Sequence, residues 1–281
     1  MTNQNSFVSE SVVVPPVFLK LGGSLITDKT RPYAARNEVI ARLAAEVRQA
    51  LETSPDLSLL IGHGSGSFGH WAARPYGTRQ RVSTPAGWRG YAEVAAAAAR
   101  LNRIVTDAFL QANVPVLSLQ PSASARCLDG VLSHLDTRPI RMALSHGLAP
   151  LVYGDVALDS VRGGTIISTE DIFVFLAEEM QPRRILLLGT VPGVLDLNEA
   201  VIPHLTPADL PALQDALAGS GGVDVTGGMA DKVARMVDLV RRCPDTSVHI
   251  LNGVVPGLLT RALLEPGLSE GTCITNRRGI P

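Results

Sequence analysis

Lysine is almost absent from this 281-residue chain: among 25 lysine and arginine side chains, only Lys20, Lys29 and Lys232 are lysines. Cysteine is scarce as well, and Cys127, Cys243 and Cys273 are odd in number and far apart. That usage supplies neither a disulfide framework nor zinc-ligand spacing, and predicts reduced thiols in a cytoplasmic protein. Net charge is nearly missing too. At a formal charge of −1, the chain has no field for sequence-independent binding of nucleic acid or of an anionic membrane. No apolar run reaches membrane-spanning length, and residues 1–14 lack the cationic start and apolar core of a signal peptide; they read as a flexible polar tail. What is present is apolar material, 46% of residues against 18% charged, enough for one large α/β domain or two fused lobes.

Strand-like and helix-like segments alternate. Strands are expected over 16–22, 57–62, 114–119, 149–154, 183–189 and 247–253. Amphipathic helices are expected over 37–52, 92–112, 137–146, 169–180, 229–243 and 257–265. A hairpin pairs "VALD" with "GTIIS" and turns near 162–164. Short, continuously apolar strands between helices predict a mainly parallel sheet covered on both faces. The Pro- and Gly-rich stretch 203–228 is the expected mobile loop.

Each lysine lies on or beside a glycine turn. In "FLKLGGSLITDK" (18–29), Lys20 ends a strand, Gly22, Gly23 and Ser24 turn the chain, and Lys29 follows. Consecutive glycines let amides converge on an anion, and the two lysines add mobile positive charge. In "DVTGGMADKVARM" (224–236), Thr226, Gly227 and Gly228 precede a helix whose first turn carries Lys232, an arrangement suited to phosphate. Between them stands "IGHGSGSFGH" (61–70). Its Gly64, Gly66 and Gly69 match a dinucleotide fingerprint, yet the nearest candidate for the ribose-binding acid, Glu93, sits in a helix rather than at a strand end. The P-loop template fails as well, because His70 and Trp71 replace its Lys and Ser/Thr. His63, closer to the strand, is expected to be structural.

Together "KLGGSLITDK", "GHGSGSFGH", "LVYGDVALD", "VTGGMADKV", "LNGVVPGLLTRALL" and "GTCI" resemble the amino acid kinase superfamily, and within it the isopentenyl phosphate kinases. The resemblance spans nearly the whole chain. It implies an open αβα sandwich with a mainly parallel sheet, an acceptor lobe over 15–181, an ATP lobe over 182–281 and a homodimer. It also implies ATP-dependent phosphorylation of isopentenyl phosphate, a step of isoprenoid precursor synthesis, with Mg2+ carried on the nucleotide rather than in a protein cage.

By the same resemblance, Lys20 and Lys232 lie along the β- and γ-phosphates, and Lys29 stabilises the transferring phosphoryl group. Gly22, Gly23 and Ser24 offer backbone donors, with Gly66, Thr190 and Gly228 also near ATP. Ser65, Gly69, His70 and Gly154 approach the acceptor, His70 by a hydrogen bond to its phosphate. Either Glu170 or Asp171 orients the lysines. The largely small and apolar segment "GWRGYAEVAAAAARL" is a candidate wall for a branched five-carbon tail. Three positions depart from the family: Ser65 replaces a glycine, and Thr190 and Pro192 stand where relatives carry acids. The alternatives are a sister kinase acting on another small phosphate or an antibiotic phosphonate of the fosfomycin type, and a non-catalytic nucleotide sensor.

Overall fold

The computed structural model describes residues 15–211 and 228–277. The tail 1–14 and residues 212–227, which include Thr226, Gly227 and most of the expected mobile stretch, lie outside them. The chain runs β1 (Val17–Leu21), α1 (Gly23–Ile26), α2 (Asn37–Thr53), β2 (Leu59–His63), α3 (Gly66–Ala73) and α4 (Pro85–Gln111). It continues through β3 (Val116–Ser118), β4 (Arg126–Leu128), β5 (Val131–His134), α5 (Arg138–Ser145), β6 (Ala149–Tyr153), β7 (Asp155–Asp159) and β8 (Gly163–Ile167). Then come α6 (Thr169–Met180), β9 (Arg184–Gly189), β10 (His204–Leu205), α7 (Gly228–Arg242), β11 (Ser247–Asn252), α8 (Leu258–Leu264) and β12 (Thr272–Ile274).

Eight strands form one sheet in the order β10-β12-β11-β9-β1-β2-β6-β3. Every neighbouring pair in it is parallel except β11 with β12. The other four form a small sheet, β5-β4-β7-β8, in which β7 and β8 make the expected antiparallel hairpin. Helices on both faces complete an open αβα sandwich. From β1 the chain goes first to β2 on one side and later to β9 on the other. Loops at the carboxyl ends of these strands therefore diverge, which opens a crevice above β1.

The period-two alternation of β1 divides the core. Val17, Leu19 and Leu21 pack with α2, α4 and α8, whereas Phe18 packs with α6 and α7. Phe18 meets Phe173 of α6 at a centroid distance of 5.2 Å. Lys20 shares the Phe18 face, and Glu170 sits one helical turn before Phe173, so strand and helix periods together bring Lys20 opposite Glu170. On the other face Glu46 is a buried acid with a structural duty: it pairs with Arg42 and accepts the Leu259 amide at the start of α8 at 3.0 Å.

Two differences from the sequence reading have local causes. α4 begins at Pro85 rather than near 92, because Thr84 caps it by accepting the Gly87 amide at 3.1 Å and Pro85 opens its first turn. The glycine-rich stretch after β2 is mostly helix, α3, entered through Gly66 at φ +50°.

Two histidines sit inside the large sheet. Burial pushes His63 down to about 4, with the Lys20 charge adding to the effect over the opposing Gly64 hydrogen bond. Burial pushes His249 down to about 4 as well, assisted by Arg184 and His204. Both folded values lie below the unfolded value of about 6.5, so the stability they carry is complete above pH 6.5 and is lost as pH falls toward 4. Denaturant titrations should show a loss of about 2 kcal/mol per histidine between pH 7 and pH 5. His249→Asn should reduce that slope by about half, and an unchanged slope would contradict it.

Candidate active site

The crevice above β1 holds a cavity of about 910 Å³. Lys20, Lys29 and Lys232 all line it, with His70, Glu170 and Thr190. So do Gly22, Gly23, Ser24, Ser65, Gly66, Gly69 and Gly154. Gly228 opens α7, the helix that carries Lys232. Asp171 is not among the lining residues.

Close backbone packing of the two glycine turns shapes the cavity floor. A Cβ at Gly23 would lie 2.6 Å from the Gly66 nitrogen, and one at Gly64 would lie 2.9 Å from the Gly23 nitrogen. Thr27 locks the pair. Its hydroxyl donates to the Gly23 carbonyl at 2.6 Å and accepts the Ser67 amide at 2.9 Å.

These contacts also decide which amides face a ligand. Gly22 N–H donates to Leu188 O at 2.8 Å, Gly64 N–H to Leu21 O at 3.0 Å and Gly69 N–H to Ser65 O at 3.2 Å. Gly154 N–H donates to His63 O at 3.1 Å. Gly22, Gly69 and Gly154 therefore give a ligand close approach rather than a donor, contrary to the donor role expected of Gly22. The first-turn amides of α1, at Gly23 and Ser24, have no earlier turn to bond within their helix and find no backbone acceptor among the described residues.

Lys20 is 6% exposed and its ammonium lies 3.0 Å from the Glu170 carboxylate. Burial acts to raise the Glu170 pKa, but the charge and hydrogen bond of Lys20 and the charge of Lys232 outweigh it and hold the group below the ordinary carboxylate range. Lys232 is shifted down, by burial first and then by the Lys20 and Lys29 charges, against the pull of Glu170. The Lys232 ammonium thus senses both other lysines and Glu170. Lys29 is exposed, on a turn where Asp28 accepts the Thr30 amide and hydroxyl at 2.9 and 2.6 Å.

His63 is turned away from this chemistry. Its Nε2 meets the Asn102 amide at 3.2 Å, and its ring stacks on Tyr153 at 5.5 Å.

The profile of the Amino acid kinase family matches residues 15–252. The chain belongs to this family. It is 36% identical to the isopentenyl phosphate kinase of Methanothermobacter thermautotrophicus, over 93% of this chain and 99% of that protein. It is 40% identical to the isopentenyl phosphate kinase of Haloferax volcanii, over 79% of this chain and 88% of that protein. Among solved structures, an isopentenyl phosphate kinase superposes with a TM-score of 0.77 at 32% identity, covering 92% of this chain and 99% of that one.

Within this amino acid kinase chain, the two candidate acids have different surroundings. Glu170 pairs with Lys20 inside the cavity. Asp171 completes a capping box on α6, accepting the Ser168 amide at 2.8 Å and the Ser168 hydroxyl at 2.7 Å, and it also pairs with Arg235 of α7. Of the residues expected to depart from the family, Ser65 lays its side chain over the space that a Cβ on Gly69 would need. Pro192 lies outside this cavity and lines a separate one of about 520 Å³.

The expected tail wall also needs correction. No residue of 87–101 lines the cavity, because Val94, Ala97 and Leu101 face the core beneath the sheet. A segment without a motif takes that place: Ala73, Arg74, Gly77, Thr78, Arg79 and Gln80, with Ile166 and Ile167. Composition gave no sign of it. The one available cue was helical spacing, which puts Arg74 one turn after His70.

Removing each acid should separate their duties. Glu170→Gln leaves Lys20 buried without a counter-charge and should cost about 3 kcal/mol of stability in the free protein. ATP, bringing its own anions, should raise the melting temperature of this variant more than that of the parent. Asp171→Asn should cost about 1 kcal/mol through the weakened cap, with an ordinary response to ATP. The reverse pattern in thermal denaturation would exchange the two assignments.

Proposed function

We propose that this chain is an isopentenyl phosphate kinase, transferring the γ-phosphoryl group of ATP to isopentenyl phosphate and releasing isopentenyl diphosphate and ADP. One observation carries the reading: every lysine of the chain and His70 line a single cavity at the carboxyl end of the central strand. The archaeal relatives described above support it. Among the described lining residues Glu170 is the only acid, and Lys20 already occupies it. A substrate ammonium would find no partner there, which disfavours an amino-acid acceptor.

The chemistry asks little of a base. An alkyl phosphate has a second pKa near 6, so its own oxyanion can attack at neutral pH. The barrier lies in bringing two polyanions together, and positioning plus positive charge must lower it. Lys20 and Lys232 would lie along the β- and γ-phosphates, Lys29 at the transferring group and His70 at the acceptor phosphate. The amides of Gly23 and Ser24 would donate to the nucleotide. Glu170 would hold the lysines apart until the phosphates replace it.

Among the described residues, no group of three or more His, Cys, Asp or Glu side chains converges as a metal site. Magnesium would arrive on the triphosphate and neutralise part of its charge. Residues 15–181 would form the acceptor lobe and 182–281 the nucleotide lobe of a cytoplasmic homodimer. No helix among the described residues is long and apolar enough to cross a membrane.

Incubation with Mg-ATP and a panel of alkyl phosphates, reading ADP release, tests the proposal. Isopentenyl phosphate should give the highest kcat/KM; preference for a phosphonate would favour the sister-kinase reading. His70→Ala should raise the acceptor KM about tenfold or more with a smaller change in kcat. Lys29→Ala should lower kcat about a hundredfold or more and leave the ATP KM within a few-fold. A loss confined to ATP affinity would reassign Lys29 to nucleotide binding.

A further inference from the structure

Among the described residues, two buried side-chain polar atoms have no hydrogen-bond partner, Trp71 Nε1 and Thr78 Oγ1. Trp71 does not line the cavity, but Thr78 does, and it is 1% exposed. A buried hydroxyl left unpaired costs about 1–3 kcal/mol. The fold nevertheless fixes Thr78 where it is. Gly77 takes φ +60°, and the Gln80 amide donates to the Gly77 carbonyl at 2.9 Å, leaving Thr78 and Arg79 at the centre of a tight turn. The Thr165 hydroxyl of β8 donates to the Arg79 carbonyl at 3.0 Å and pins that turn to the hairpin.

The neighbours of Thr78 on this wall indicate what its hydroxyl meets. Arg74, Arg79 and Gln80 line the cavity with it, and the segment contributes no acid. Guanidinium groups only donate, so the wall presents donors to the space it bounds. The Arg74 amide donates to the His70 carbonyl at 3.2 Å. That i to i+4 relation puts the Arg74 and His70 side chains on the same face of α3. A phosphate offers the donors of Arg74, Thr78, Arg79 and Gln80 several acceptor oxygens, which a hydrocarbon tail cannot; Ala73, Ile166 and Ile167 are the apolar part of the same lining.

We propose that Thr78 is a further acceptor-binding residue, whose hydroxyl donates to an oxygen of the acceptor phosphate. The inference rests on the proposed phosphate-acceptor function and adds a contact to that site. It predicts that Thr78→Val, which keeps shape and removes the hydroxyl, raises both the acceptor KM and the calorimetric Kd for isopentenyl phosphate about ten- to a hundredfold. The ATP KM should stay within twofold. Thr78→Ser should retain binding within a few-fold of the parent.

An unchanged acceptor Kd in Thr78→Val would overturn the proposal, and a raised melting temperature beside it would make Thr78 a strained structural group. Equal losses toward ATP and acceptor would overturn it too. Binding is read without turnover, so the two ideas fail separately. A parent protein that binds isopentenyl phosphate but does not phosphorylate it defeats the kinase reading and leaves the Thr78 comparison intact. A parent that does not bind it at all defeats both.

Discussion

A buried ammonium at the end of the central strand organises this molecule. Lys20 is flanked by strands on both sides and lies nearly out of reach of water, a placement that costs several kcal/mol without a counter-charge. Glu170 supplies one at 3.0 Å. The pair also ties the sheet to α6, since Phe18 and Lys20 on the strand meet Phe173 and Glu170 on the helix in matching order. A phosphate oxygen entering the crevice offers Lys20 a second anion in a similarly dry place. Under the proposed function, the charge that Glu170 balances in the free protein would also receive the nucleotide.

Electrostatic preorganisation extends from that pair. Lys232 carries a lowered pKa because it is buried and faces Lys20 and Lys29. Three lysines with one carboxylate among the described cavity-lining residues are poorly balanced in the free protein, and each would gain when a polyanion arrives. Such an imbalance favours phosphoryl transfer, where charge spreads over oxygens and there is little covalent chemistry for side chains to perform. It also limits the acceptor: an incoming cation would add to the excess.

Much of this was legible in the sequence. Three lysines beside two glycine turns, and a third glycine turn ending in His70, identified part of the cavity's charge because lysine is rare here, and alternating apolar segments gave the strand and helix order. The parts that were not legible depend on packing. Sequence could not choose between Glu170 and Asp171, since adjacent helical residues point in different directions and only the docking of α6 on β1 decides which meets Lys20. It could not show that Gly22, Gly69 and Gly154 have engaged amides, because those bonds come from neighbouring strands and from α3 itself. The Ala-rich helix looked like a substrate wall for the reason that makes it a good core helix: small apolar residues serve both purposes.

The segment 73–80 illustrates a more general limit. It has no glycine-rich signature or cluster of acids, and its arginines resemble any solvated loop. Its meaning arises from where it is tied, by the Tyr76 hydroxyl to Glu93 of α4 at 2.9 Å and by the Arg79 carbonyl to Thr165 of β8 at 3.0 Å. Once held there, polar side chains that would be unremarkable on a surface become one wall of the crevice above β1. Glycine turns at the strand ends can bring any phosphate close to the backbone, so they do not distinguish one acceptor from another. That distinction must come from a wall that differs in its donors and its volume, and under the proposed function the loop between α3 and α4, which lines the cavity, would be that wall.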